Sequence, residues 1–164
     1  MTRIRSQNLK KVRVLIVDDS ATLRDGLTSL CSLLPQLEVV GTATDGLEAL
    51  EAIRNLKPDV VSLDIRMPRM GGIDVLRAIK RDRLTCTPIV LSGMADDFSR
   101  EKFLELGAKY VFNKGSDLDK FLQVLAQSQK VKEFPVGVRA SARTRAGPAG
   151  KLRRKPVDKG RQMT

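Results

Sequence analysis

Short β-branched apolar runs alternate along this chain with longer segments whose apolar residues recur every three to four positions. Residues 12–17 (VRVLIV) form the first run, nearly continuous and of the kind buried on both faces of a parallel sheet. Comparable runs lie at 37–43, 60–64, 88–92 and 109–113. Between and after them the spacing turns helical. Leu23, Leu27, Leu30, Cys31 and Leu34 make one stripe, closed by Pro35. Asp45 caps a second helix that runs to Leu56, with Leu47, Leu50 and Ile53 facing inward. Ile73, Leu76 and Ile79 mark a third. A fourth, at 96–106, stops at Gly107, and a fifth, at 117–129, carries Leu118, Phe121, Leu122 and Leu125 on one stripe. Five strands alternating with five helices require a doubly wound α/β fold, a five-stranded parallel sheet with helices on both faces and right-handed crossovers.

In such a sheet the ligand site lies outside the carboxyl ends of the strands. Asp18 and Asp19 follow the first run, Asp64 closes the third, Ser92 ends the fourth and Lys114 follows the fifth. The second run brings no comparable group. Three carboxylates on one rim repel each other: two unit charges ~4 Å apart interact by about 4 kcal/mol at an effective dielectric near 20. A hard divalent cation relieves that repulsion, and Mg²⁺ takes one or two carboxylates together with phosphate and water oxygens. The Lys114 ammonium can neutralise an incoming phosphoryl group, and the Ser92 hydroxyl can donate to one of its oxygens. A carboxylate can itself be the nucleophile. Phosphoryl transfer asks for positioning and charge neutralisation more than for covalent machinery, so this inventory suffices. Singly, each residue has a plain structural role: Asp-Asp-Ser before a helix is a cap and a turn, and a lysine after a strand sits in water. Their joint occurrence at successive strand ends favours the site.

The 164 residues include 30 Lys and Arg against 19 Asp and Glu, a net charge of +11 that alone would point to nucleic acid. The excess is not spread evenly. Residues 1–13 carry +5 and residues 127–164 carry +9, whereas 14–126 carry −3. The chain therefore divides into a basic N-terminal extension at 1–11, a folded unit at 12–129 and a basic tail at 130–164. The tail is poor in large apolar residues and is expected to be disordered. Its arginines and lysines offer at most a weak, salt-dependent contact with polyanions, without an aromatic platform. No run approaches the ~18 apolar residues of a membrane helix, and two cysteines without a leader-like segment fit a cytoplasmic protein with no membrane insertion. Cys31 reads as core. Met67, Met70 and Met94 near the rim read as packing, since the chain has no His to join them in a soft-metal site.

Four pieces carry a resemblance: LIVDDS (15–20), SLDIRMPRMGG (62–72), PIVLSG (88–93) and GAKYVFNKG (107–115), in that order. Together they make residues 12–129 similar to the receiver domain of bacterial two-component response regulators, the single-domain chemotaxis regulators among them. The resemblance implies a flavodoxin-like strand order 2-1-3-4-5. It implies that Asp64 accepts a phosphoryl group from a phosphohistidine of a sensor histidine kinase or phosphotransfer protein. Asp19 and Asp64 would ligate Mg²⁺ with the backbone carbonyl of Arg66, and Asp18 would join directly or through water. Lys114 would pair with the phosphoryl oxygens. Ser92 would be the switch hydroxyl that biases the surface of the fourth helix, fifth strand and fifth helix toward an unknown protein target.

Three positions depart from the family pattern or add to it. Val111 stands where the family usually has an aromatic residue, and strand alternation sends the flanking Tyr110 and Phe112 to the other face. Gly115 stands where the family usually has a cis proline. A cis non-proline bond costs about 2.5–4 kcal/mol, so a trans bond with a rearranged loop, or a strained bond, is expected. The Arg66 side chain either overhangs the phosphoryl group or sits in solvent. As for output, the 35 residues at 130–164 are too few for a helix-turn-helix domain. The expectation is a signalling protein acting through its own receiver surface, its tail or both, and not an enzyme. A hydrolase would need a dedicated general base, and none stands out; slow self-dephosphorylation is compatible. The alternative is a phosphorylation-gated polyanion binder acting through the tail.

Overall fold

The computed structural model describes residues 10–93 and 95–128. Met94, most of the basic extension and all of the basic tail at 130–164 lie outside the described residues, as do the expectations attached to them.

Each apolar run becomes a strand and each periodic segment a helix. The order is β1 (Val12–Val17), α1 (Ala21–Ser32), β2 (Leu37–Ala43), α2 (Gly46–Leu56), β3 (Val60–Leu63), α3 (Gly72–Arg81), β4 (Thr87–Ser92), α4 (Asp97–Glu105), β5 (Tyr110–Asn113) and α5 (Leu118–Gln127). The sheet runs β2-β1-β3-β4-β5 with every pair parallel. One irregularity, between Val14 and Leu15, shifts the β1–β2 register.

The pleat divides the strand residues between two layers. Val12, Val14, Ile16, Ile89, Leu91 and Phe112 pack with Leu27 and Cys31 of α1 and with Phe121 and Leu125 of α5. Leu15, Val17, Val61, Leu63, Val90 and Val111 pack with α2, α3 and Phe103 of α4. Burying one such Val, Leu or Phe contributes roughly 1.5–3 kcal/mol, so both layers are needed to offset the entropy of ordering the chain.

Side-chain caps start three helices beside the carboxyl ends of the strands. Ser20 accepts from Leu23 N, Asp45 from Leu47 N and Glu48 N, and Asp96 from Ser99 N. The Asp45 cap is as expected, but the expected inward face of α2 is corrected at Leu47. With the helix starting at Gly46, its buried stripe is Gly46, Ala49, Leu50 and Ile53, and Leu47 is 56% exposed. Gly107 ends α4 as expected, at φ 111, where a side chain would be strained. β3 stops one residue short of Asp64, although Asp64 N still donates to Val17 O at 2.9 Å.

Candidate functional site

The strand ends gather the acids. One carboxylate oxygen from each of Asp18, Asp19 and Asp64 lies within 4.8 Å of the others. Asp18 and Asp64 are buried and Asp19 is exposed. Local main chain holds the buried pair: Ser20 N donates to Asp18 Oδ1 at 2.9 Å, and Ile65 N to Asp64 Oδ1 at 2.7 Å. Each residue's other oxygen meets the ammonium of Lys114, 2.6 Å from Asp18 Oδ2 and 3.0 Å from Asp64 Oδ2. Burial penalises the charge on Lys114, but the hydrogen bonds to Asp18 and Asp64 outweigh it and hold the pKa above its ordinary value. Three carboxylates against one ammonium, which meets two of them, leave the site acidic. The donor set is all oxygen, without Cys or His, and fits a hard cation such as Mg²⁺.

The loop after Asp64 is pinned from two sides. A Cβ on Gly72 would lie 2.1 Å from the Asp64 carbonyl oxygen, so only glycine lets α3 start against the end of β3. Gly46 N donates to Met70 O at 2.9 Å, tying the same loop to the start of α2. Arg69, at φ 61, turns its guanidinium onto the buried Asp45 and onto Glu48. Arg66 is exposed on this loop.

Ser92 is buried at the end of β4, in register with Asn113, and its carbonyl accepts from Lys114 N at 3.2 Å. Val111 is buried in the layer of α2, α3 and α4. Tyr110 and Phe112 face the other layer, as alternation requires; they stack at 6.2 Å, and Phe112 meets Phe121 edge-on at 6.1 Å. No cis peptide bond occurs among the described residues, so Lys114–Gly115 is trans. Sequence reasoning missed the groups that close the Lys114 loop, Asn113, Asp117 and Arg100, and missed Arg24, which donates from α1 to the Asp18 carbonyl at 2.8 Å. The one signal for Asp117 was its place at the start of a helix.

A doubly wound sheet with an acid triad and a lysine at its carboxyl ends defines a class of phosphoryl-accepting signalling domains. Residues 14–126 match the response regulator receiver domain, and the chain belongs to that family. It is 42% identical over 144 residues to protein-glutamate methylesterase/protein-glutamine glutaminase 1 of Caulobacter vibrioides, covering 86% of this chain and 41% of that protein. It is 43% identical over 100 residues to the third such protein of Geobacter sulfurreducens, covering 61% of this chain and 27% of the relative. The response regulator domain of Thermotoga maritima CheB superposes with a TM-score of 0.68 at 32% identity, over 74% of this chain and 98% of that one. A chain of the CheX-CheY-BeF3-Mg²⁺ complex from Borrelia burgdorferi gives 0.66 at 31% identity, over 74% and 90%.

These relatives correct the expectation of a protein that is not an enzyme: the proteins matched are named as enzymes. The chain spans less than half of their length, 41% and 27%, and the likeness includes the receiver. Polyanion binding through the tail finds no support in these likenesses. Among the described residues no helix is long and apolar enough to cross a membrane.

Proposed function

We propose that Asp64 accepts a phosphoryl group from a phosphohistidine of a sensor histidine kinase or phosphotransfer protein, in a Mg²⁺-dependent reaction. The observation that carries this reading is the Lys114 ammonium set between buried Asp18 and Asp64, beside exposed Asp19. An Asp64 oxygen forms the new P–O bond as the donor's P–N bond breaks and its imidazole leaves. Lys114 trades a carboxylate contact for a phosphoryl oxygen and so stabilises the charge that spreads over the phosphoryl group in the transition state. Asp18, Asp19 and Asp64, with the Arg66 carbonyl, would hold Mg²⁺, which supplies further charge neutralisation when bound.

Ser92, adjoining Lys114 through the β4–β5 register, serves as the hydroxyl that follows the phosphoryl group and biases the α4–β5–α5 surface. With Val111 in that layer, the change proceeds without an inward-swinging aromatic, since Tyr110 and Phe112 are engaged on the other face. The output is control of an activity of the kind for which the relatives are named, protein-glutamate methylesterase/protein-glutamine glutaminase; the 42% identity over 86% of this chain supports that choice. The free thiols of Cys31 and Cys86 suit a cytoplasmic setting.

The test uses the full chain with acetyl phosphate, either in Mg²⁺ or in excess EDTA. A single base-labile phosphoryl adduct is expected in Mg²⁺ and none in EDTA. Equal labelling in both, or no labelling in Mg²⁺, would overturn the reading.

A further inference from the structure

The loop that carries Lys114 is closed by a reciprocal pair of bonds. Asn113 N donates to Asp117 Oδ2 at 3.0 Å, and Asp117 N donates to the Asn113 carbonyl, also at 3.0 Å. Within the loop, Gly115 N donates to Asn113 Oδ1 at 2.8 Å, and a Cβ on Gly115 would approach that same oxygen to 3.3 Å. Two cations converge on the buried Asp117 carboxylate: Lys120 Nζ at 2.9 Å from Oδ1 and Arg100 Nη2 at 3.6 Å from Oδ2. The same arginine donates from Nη1 to the Val111 carbonyl at 2.6 Å, so α4, β5 and the start of α5 meet at one carboxylate.

Asp117 holds the N-cap position of α5, where an aspartate ordinarily turns its carboxylate onto the helix's own free N–H groups. It makes no such bond. The carboxylate turns back to the strand, giving up a cap to hold the backbone immediately before Lys114. That backbone is fixed on its other side by the bond from Lys114 N to Ser92 O. The hydrogen bond from Asn113 N, with the Lys120 contact second, also keeps the Asp117 carboxyl below its usual pKa.

We propose that Asp117 is a positioning residue for phosphoryl transfer: by clasping Asn113, and steadied by Arg100, it sets the Lys114 ammonium against Asp18 and Asp64. This rests on the reading of Asp64 as acceptor and Lys114 as its partner. The role differs from a helix cap, and one substitution separates the two. A serine at position 117 can cap α5 but is too short to hold Asn113 N. An asparagine keeps an oxygen at the right reach.

The experiment measures acetyl phosphate labelling rates in Mg²⁺ for the full chain, alongside thermal melting. Asp117→Ser is expected to melt somewhat below wild type but to stay folded at the assay temperature, and to label about 10- to 100-fold more slowly, the size of effect a displaced catalytic group produces. Asp117→Asn is expected to recover most of that loss. In a Lys114→Ala background, Asp117→Ser is expected to have no further effect, because it acts through the lysine. Labelling of Asp117→Ser at the wild-type rate would overturn the proposal, as would an equal slowing with and without Lys114. Failure of the wild-type chain to label at Asp64 would instead overturn the underlying reading of the site.

Discussion

Lys114 decides how two buried carboxylates coexist at one strand end. Its ammonium is held above the ordinary value of 10.5 because the bonds to Asp18 and Asp64 outweigh the burial that opposes its charge. A cation whose pKa rises on folding contributes stability in full below its unfolded pKa, and that contribution is lost as the pH climbs through the folded value. The Lys114 share is therefore expected to stay constant across neutral pH and to fall away above 10.5. Urea titrations of wild type and Lys114→Met at a series of pH values check this: the alkaline fall attributable to Lys114 is expected only in wild type. Asp18, Asp19, Asp64, Ser92 and Lys114 were legible in the sequence because each ends or follows an apolar run, and the fold brings strand ends together. The direction of the Asp117 carboxylate was not legible. Local preference points it at its own helix, and Arg100, from a different helix, helps hold it toward the strand instead.

Among the elements, the contact between β3 and α3 is the one on which Asp64, the proposed acceptor, depends. Gly72→Ala would drive a Cβ to 2.1 Å from the Asp64 carbonyl oxygen, a backbone atom with little room to yield. Overpacking of this kind is expected to cost at least about 2 kcal/mol and to slow Asp64 labelling as well. Gly26 in α1 is the control: nothing lies within 4 Å of its Cβ position. Gly26→Ala is expected to stabilise the chain by about 0.5–1 kcal/mol through helix propensity, with labelling unchanged. Urea midpoints and labelling rates of the two variants read both effects. Element order and type were legible from periodicity, and the ends were less so. Leu47 lies three residues before Leu50, yet at about 100° per residue the buried stripe of Gly46, Ala49, Leu50 and Ile53 leaves it to one side, in solvent.

For the molecule as a whole, the charge of +11 describes the flanks, while residues 14–126, at −3, contain the acid site. Family membership was readable because four motifs fall on the rim that the sheet order assembles. The link to enzymes was not readable from the strand ends: it comes from the names of relatives of which the chain covers 41% and 27%. The central claim is that Asp64 is the phosphoryl acceptor. After incubation with acetyl phosphate and Mg²⁺, intact-mass measurement of the wild-type chain is expected to show a single phosphoryl group, and borohydride reduction is expected to expel that phosphate and leave homoserine at position 64; Asp64→Asn is expected to show neither change. Label retained on Asp64→Asn at the wild-type level would contradict it.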